Sequence, residues 1–209
     1  MTGKFYQSRH PLVLDKIARL RDKRTTTPEF RRIVGEVALL LGYEVLANID
    51  MKTETVKTPL ASCQCQMLAR PITFVTILRA GLGMTDGLMK LEPTANLAHI
   101  GIYRNESTLE PVRYYARFPK NIGEHYVVLA DPMLATGGSA VESLSILKAQ
   151  GAKHISFVCM LAARGGIKKV MQAHPDVSIV AGMIDEELND KGYIVPGLGD
   201  AGDRMFGTI

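Results

Sequence analysis

Cysteine is scarce in this chain, and the few thiols present exclude two common kinds of architecture. The 209 residues include only three cysteines, Cys63, Cys65 and Cys159. An odd number of thiols with a single C-x-C pair supports neither a disulfide framework nor a four-ligand zinc site. We therefore expect all three thiols to be reduced.

Long apolar runs and concentrated charge are also missing. No apolar stretch approaches the roughly 18 residues needed to span a bilayer, so we expect a soluble, cytoplasmic protein with no membrane partner. The net charge is only +4, and the Lys and Arg residues are scattered along the chain. This pattern does not indicate a nucleic-acid partner, whereas a mildly basic balance suits small anionic substrates.

No internal repeat or Pro/Gly/Ser-rich linker divides the chain, so residues 1–209 are predicted to form one domain. Helical spacing of apolar residues between Pro11 and Asp50 predicts two N-terminal helices. From Ile72 onward, short apolar runs alternate with amphipathic segments, which predicts an α/β fold with a mostly parallel sheet flanked by helices. Residues 185–209 show no helical period and are expected to form an irregular excursion over the domain.

The stretch VVLADPMLATGGS, Val127–Ser139, combines an apolar strand, an acid, a glycine-rich turn and a predicted helix start. Glycines allow a ligand to approach the backbone closely, and successive N–H groups at a helix start form an anion-binding cup. The hydroxyls of Thr136 and Ser139 can complete it, so a phosphate is the natural occupant. No lysine follows the second glycine, which excludes a Walker A loop. An ordinary strand-to-helix turn capped by serine is the alternative interpretation.

Two arginines follow other predicted strands. In ILRAGLGM, Arg79 comes at the end of an apolar strand and precedes a tight Ala-Gly-Leu-Gly turn, an arrangement suited to bidentate phosphate recognition. A salt bridge at a strand end is the alternative. Arg104 comes at the end of another predicted strand, and the segment that contains it, Tyr103–Pro119, fits either a mobile flap over a substrate or a plain surface hairpin.

The C-terminal stretch GYIVPGLGDAGDRMFGT, Gly192–Thr208, contains a misleading motif. Gly197, Gly199 and Gly202 spell G-x-G-x-x-G, the dinucleotide-binding fingerprint, but that fingerprint requires a βαβ unit and a distal acid. Because Ile209 is the last residue, we reject this interpretation. The glycines instead suggest that backbone groups recognise a small flat ligand.

Together with the AHPD stretch at 173–176, these motifs resemble, in order and at similar spacing over nearly the whole chain, the uracil phosphoribosyltransferase family of type I phosphoribosyltransferases. The resemblance implies a hood formed mainly by residues 185–209 with the N-terminal segment. It also implies a pentosyltransferase of pyrimidine salvage, which converts uracil and 5-phosphoribosyl diphosphate (PRPP) into UMP and diphosphate with Mg²⁺. The metal would be held mainly by the substrate diphosphate, with no side-chain ligand assigned.

The resemblance also implies site residues. Asp131, Arg79, Arg104 and Asp200 would be catalytic, and these four would also contact PRPP. The rest of the PRPP loop would comprise Pro132, Met133, Leu134, Ala135, Thr136, Gly137, Gly138 and Ser139. Uracil would be bound by backbone groups of Ile194, Gly199, Asp200 and Ala201. GTP is a candidate activator, and a homodimer or higher homo-oligomer is expected.

Three segments depart from the family pattern: Arg164 and Gly165 after a predicted strand, Thr76 before the Arg79 turn, and Thr53–Pro71 with its two cysteines. The wider superfamily carries two adjacent acids where this chain has Asp131 and Pro132, so Asp131 would supply the acidic contact alone. A regulatory relative that senses PRPP or UMP and binds RNA is the alternative function, and a purine-using transferase is a weaker one.

Overall fold

The computed structural model describes residues 3–104 and 111–208. The helices are α1 Pro11–Arg21, α2 Thr27–Leu46, α3 Leu82–Leu91, α4 Gly138–Ala149, α5 Arg164–Ala173 and α6 Ala201–Phe206. The strands are β1 Phe5–Gln7, β2 Met51–Lys57, β3 Ser62–Leu68, β4 Ile72–Leu78, β5 Asn96–Arg104, β6 Pro111–Arg117, β7 Tyr126–Ala130, β8 Met133–Leu134, β9 His154–Ala163, β10 Ser178–Asp185, β11 Glu187–Leu188 and β12 Ile194–Val195.

The main sheet has the order β1-β10-β9-β7-β4-β5-β6, and β8 also pairs with β9. Every pairing in this sheet is parallel except that of β5 with β6. Consecutive side chains of the buried strand β4 lie on opposite faces of the sheet. Phe74 belongs to the hydrophobic core that includes α1, α2 and α3, whereas Val75 belongs to the core that includes α4 and α5. Helices therefore cover both faces of the sheet, which confirms the predicted α/β fold.

The structure confirms the two predicted N-terminal helices and the helix start predicted after the glycine-rich turn. Two helices, α1 and α2, occupy the N-terminal region, and Pro28 lies in the first turn of α2. Helix α4 begins after Gly137, whose φ is +79°, and ends before Gly151, whose φ is +91°. Both glycines adopt the left-handed conformation that other residues rarely take.

The expectation of an irregular C-terminal segment was wrong at residues 201–206, which form α6. Asp200 caps this helix by accepting a 2.9 Å hydrogen bond from the Asp203 N–H, and Gly207, with a φ of +68°, ends it. Six residues are too short to display a helical period, so the capping residues were the only local signal. Met205 of α6 is buried in the core that also contains α2.

Among the residues described, β5 and β6 form an antiparallel hairpin at one edge of the main sheet, and β2–β3 and β11–β12 form separate two-stranded sheets. Strand β6 pairs antiparallel with β5, which supports the hairpin interpretation of Tyr103–Pro119; residues 105–110 of the predicted flap lie outside the described residues. Strands β2 and β3, in the segment that departs from the family pattern, form a separate two-stranded sheet. Among the residues described, no helix is both long and apolar enough to cross a bilayer.

Candidate active site

Two predicted ligand-binding loops lie side by side at one edge of the sheet. Strands β4 and β7 are parallel neighbours, with Thr76 opposite Ala130, so the turns that follow them meet at the same edge. Gly81 fits this junction only because it has no side chain, since a Cβ there would lie 3.1 Å from the Ala130 carbonyl oxygen and 2.5 Å from that of Ile77. The Arg79 turn therefore packs against the end of β7.

Asp131 follows β7 directly, and its backbone N–H donates to the carbonyl of Val158 on β9. The residue is half-buried. Burial of its carboxyl raises the pKa of Asp131 to about 7, and a hydrogen bond from the Met133 N–H acts in the opposite direction. Burial and the charge of Asp131 together raise the pKa of the Cys159 thiol. The carboxyl thus titrates near neutral pH, as acids at functional sites often do.

The loop after Asp131 is fixed by β9 and then runs into α4. The Pro132 carbonyl accepts hydrogen bonds of 3.0 and 3.1 Å from the N–H groups of Met160 and Leu161. Gly137 is the N-cap of α4, and Ser139 is exposed in its first turn. The backbone N–H groups of a helix start and a serine hydroxyl therefore lie at the edge where Asp131 lies, as a phosphate-binding loop requires.

The first turn of helix α5 packs against the same loop. A Cβ on Gly166 would lie 2.3 Å from the carbonyl oxygen of Ala135 and 2.9 Å from that of Leu134. A Cβ on Gly137 would in turn approach the Gly166 carbonyl oxygen to 3.0 Å. The absence of a side chain at Gly166 therefore lets α5 pack tightly against the loop.

We expect Gly166→Ala to lower the free energy of unfolding by about 1–3 kcal/mol, because the clash is with a backbone carbonyl that cannot rotate away. Gly165→Ala is the matched control, since nothing lies within 4 Å of its Cβ position. That change should instead be neutral or stabilising by up to about 1 kcal/mol, through helix propensity. Urea denaturation measures both, and equal stabilities of the two variants would contradict the tight packing.

Arg79 is exposed and faces the C-terminal segment. Its Nη2 lies 3.7 Å from Oδ1 of Asp203, and 4.0 Å from the position that a Cβ on Gly202 would take. The structure thus brings Arg79 together with the segment that contains Asp200. Arg104 is the last residue of β5, but its side chain lies outside the described residues.

The four residues predicted to bind a base lie along the C-terminal segment. Ile194 is buried and pairs with Leu188, Gly199 has a φ of +80°, and Ala201 is the buried first residue of α6. Asp200 is half-buried, and its second carboxylate oxygen lies 3.5 Å from the Tyr193 hydroxyl. The Asp200 charge raises the pKa of Tyr193, so the phenol remains a hydrogen-bond donor.

Two arginines hold this segment to the N-terminal helices. Arg21 binds both carboxylate oxygens of Asp185 at 2.8 and 2.6 Å, and also donates to the Gly197 carbonyl. The Gly197 N–H donates back to Asp185 at 3.0 Å. These contacts close a ring of charge-assisted hydrogen bonds that sets the position of the turn before Gly199.

Arg204 is the second of these arginines. It donates to the carbonyl of Leu198 at 2.8 Å, to that of Asp22 at 2.7 Å, and to that of Leu20. Its guanidinium lies 4.4 Å from the centre of the Phe30 ring, a cation–π distance. Beside it is a cavity of about 470 Å³. Its lining residues are Arg21, Lys23, Pro196, Leu198, Gly199, Asp200, Asp203 and Arg204.

The remaining departures from the family pattern have local explanations. The buried hydroxyl of Thr76 lies 2.7 Å from Nδ1 of His99, and burial lowers the pKa of that histidine. Arg164 is exposed and forms an ion pair with Glu186, which lowers the carboxyl's pKa. Thr76 is therefore a satisfied core residue, and Arg164 has a carboxylate partner of its own.

The roles of Asp203, Asp185, Arg21 and Arg204 were not predicted from the sequence. Asp185 ends the predicted strand before the C-terminal segment, and that position at the carboxyl end of a parallel strand was a usable signal. The arginines gave no such signal, because their partners are backbone carbonyls and acids far away in sequence.

Comparison with known proteins agrees with this geometry. The family model described as uracil phosphoribosyltransferase matches residues 7–208. Proteins named uracil phosphoribosyltransferase from Clostridium kluyveri and Clostridium botulinum are 52% and 51% identical over 207 residues, 99% of each chain. A solved structure of the AQ2163 protein from Aquifex aeolicus is 38% identical, with a TM-score of 0.90 and 97% of each chain covered.

A hypoxanthine-guanine phosphoribosyltransferase from Bacillus anthracis, only 11% identical, shares the fold at a TM-score of 0.53, with 76% of this chain and 80% of that one covered. The match to the uracil family model extends over nearly the entire chain, including the C-terminal segment that Arg21 and Arg204 position. The chain therefore belongs to the uracil phosphoribosyltransferase family.

Proposed function

We propose that this protein transfers the phosphoribosyl group of PRPP to N1 of uracil, giving UMP and diphosphate. One observation carries the proposal: the Arg79 turn, the Asp131–Ser139 loop and the Asp200–Asp203 region lie at one edge of the sheet, with Arg79 3.7 Å from Asp203. This reaction needs three parts: a cation that binds the diphosphate, a loop that binds the 5′-phosphate, and a segment whose backbone groups can hydrogen-bond to the base.

The charge changes of the reaction explain the roles of these residues. Breaking the bond between C1 of the ribose and diphosphate builds positive charge on the sugar and negative charge on the leaving group. Arg79, and Arg104 by the family resemblance, would stabilise the departing oxygens. Asp131 would accept hydrogen bonds from the ribose hydroxyls, and the loop from Pro132 to Ser139 would hold the 5′-phosphate. The remaining rate acceleration would come from holding the two substrates in the reactive orientation, so no protein nucleophile is needed.

Magnesium fits this donor set as an ion carried by the substrate. Among residues 3–104 and 111–208, no cluster of three or more His, Cys, Asp or Glu side chains is placed to hold a metal. Mg²⁺ commonly binds substrate phosphates and waters with only one or two carboxylates, and Asp131, Asp200 and Asp203 are the described acids of this site. When bound, the ion would neutralise charge on the diphosphate.

Uracil presents acceptor, donor and acceptor groups along one edge, which the protein must meet with donor, acceptor and donor. Backbone groups of Ile194, Gly199, Asp200 and Ala201 would supply them from the segment that Arg21 and Arg204 hold. Cytosine reverses part of this pattern and would leave buried polar groups unpaired, at roughly 1–3 kcal/mol per group. Discrimination between uracil and cytosine thus depends on the position in which Arg21 and Arg204 hold that segment.

Arg204→Ala tests this dependence. Loss of the Leu198 and Asp22 contacts should raise KM for uracil by roughly ten-fold or more, since each charge-assisted hydrogen bond contributes about 1.5–3 kcal/mol. The value of kcat should change much less, because Arg204 contacts neither Asp131 nor Arg79. Arg24→Ala is the control: Arg24 is exposed and pairs only with Asp22 among the described side chains. An Arg204→Ala variant with an unchanged KM for uracil would contradict the role of Arg204 in positioning the C-terminal segment.

Incubation of the full chain with Mg²⁺, PRPP and each nucleobase in turn tests the function. We expect UMP from uracil and no nucleotide from cytosine, hypoxanthine or guanine. Absence of turnover with every base, together with tight RNA binding, would favour the regulatory alternative, and purine turnover would favour the purine-using one. The names of the curated relatives support the transferase.

We further propose that the protein acts in the cytoplasm in pyrimidine salvage, as a homodimer or higher homo-oligomer, with GTP as the candidate activator. Sedimentation with and without GTP, paired with the uracil assay, tests assembly and activation together. A monomer at assay concentration would contradict the first proposal, and a rate independent of GTP would contradict the second.

A further inference from the structure

Two thiols lie together on a surface hairpin that contributes no residue to the active site. Cys63 and Cys65 are two residues apart on β3, so their side chains project from the same face. Their sulfur atoms are 3.5 Å apart, Cys63 is exposed and Cys65 is half-buried. The third cysteine, Cys159, is fully buried in the main sheet.

The hairpin holds this pair in position from its other face. The side-chain amides of Gln64 and Gln66 donate to the hydroxyls of Thr55 and Thr53, each at 2.9 Å. These cross-strand contacts fix the register that places Cys63 opposite Val56 and Cys65 opposite Glu54. Glu54 is paired with Lys52 at 2.6 Å, which reduces the negative charge beside the thiols.

The separation of the sulfurs selects the kind of atom that they can share. Bonds of about 2.3 Å from two sulfurs to one atom meet at an angle of roughly 100° when the sulfurs are 3.5 Å apart. That angle suits the pyramidal bonds of trivalent arsenic, and thiolates are soft ligands that prefer soft partners of this kind. A closed zinc site would need four ligands, and the described residues contain no group of three His, Cys, Asp or Glu side chains that could hold a metal.

A disulfide fits this strand less well. Two residues apart along a strand, the Cα atoms lie about 6.6–6.8 Å from each other, at the upper limit for a disulfide. Forming one would pucker β3 and disturb its pairing with β2. Chelation of a single atom leaves the strand extended.

We propose that Cys63 and Cys65 form a dithiol site that chelates one trivalent arsenical. With phenylarsine oxide, two As–S bonds replace the arsenic–oxygen bonding, and the two thiol protons leave with the oxygen as water. Arsenic remains trivalent, so no oxidant or reductant is required. The site is independent of the proposed transferase reaction.

Intact-mass spectrometry of the full chain with phenylarsine oxide and excess glutathione tests the site. We expect one phenylarsenic group per chain, which resists the monothiol and is removed by 2,3-dimercaptopropanol. Cys63→Ser and Cys65→Ser should each reduce retention by roughly 10²-fold or more, because the second bond forms at high effective concentration. Cys159→Ser is the matched control and should retain the group.

Titration of accessible thiols with an aromatic disulfide reagent gives a second measurement that needs no variant. Two thiols should react in the untreated protein, and neither should react after arsenical treatment. A wild-type chain without the adduct, or single serine variants that retain it as well as the wild type does, would overturn the proposal.

Discussion

Asp131→Asn should lower kcat/KM by roughly 10²–10³-fold, the range found when one preorganised polar contact to a reacting group is lost. The substitution preserves shape but removes the negative charge that would accept hydrogen bonds from the ribose hydroxyls. The chain should remain folded, because Asp131 is anchored through its backbone N–H to Val158. Asp15→Asn, at an exposed position on α1, is the matched control and should leave kcat/KM unchanged.

The raised pKa of Asp131 also predicts how stability depends on pH. Its folded-state pKa of about 7 lies above the ordinary value of 3.8. The stability contributed by the protonated carboxyl is therefore complete below about pH 4 and is lost as the pH rises through 7. Asparagine does not ionise, so Asp131→Asn should be more stable than the wild type at pH 8, by up to about 4 kcal/mol, and should have little advantage at pH 4.

Activity should change with pH in the opposite direction. If the ionised carboxyl binds the ribose, wild-type kcat/KM falls as the pH drops below about 7. Thermal melts and initial rates at several pH values measure both trends on the same samples. A variant with near-normal kcat/KM, or a wild-type melting temperature that rises between pH 4 and 8 relative to that of the variant, would show that the assignment is wrong.

Arg79→Ala should lower kcat by roughly 10²–10³-fold, because a preorganised cation that stabilises the leaving group would be lost. KM for PRPP should also rise, since the same guanidinium would contact the diphosphate before the bond breaks. Removal of this exposed side chain, whose Asp203 contact is 3.7 Å long, should cost little stability.

Arg32→Ala is the matched control for Arg79→Ala. Arg32 is also exposed, and its partners are Glu29 and Glu36 on its own helix. Steady-state kinetics with PRPP varied at saturating uracil would separate the two constants. An Arg79→Ala enzyme that kept its kcat would remove Arg79 from the proposed mechanism.

Much of the fold was predictable because its signals are local. Alternating apolar and amphipathic segments predicted the parallel sheet, and the glycine-rich turn, in which Gly137 adopts the left-handed conformation, marked the start of α4. Helix α6 was missed because six residues show no period and its cap lay within the apparent G-x-G-x-x-G motif. The β2–β3 pairing was not predicted either, and both its faces are largely exposed, so it lacks the apolar alternation of a half-buried strand.

Residue type and short-range order were enough to predict the central strands of the main sheet, the positions of the ligand-binding turns and the family of the chain. Only the tertiary structure decided which groups meet. Arg21 and Asp185 are 164 residues apart, and Arg204 and Asp22 are 182 apart. The pKa of Asp131 likewise depends on burial by neighbouring strands. Such pairings arise when the sheet and its helices close around the core, and no local pattern encodes them.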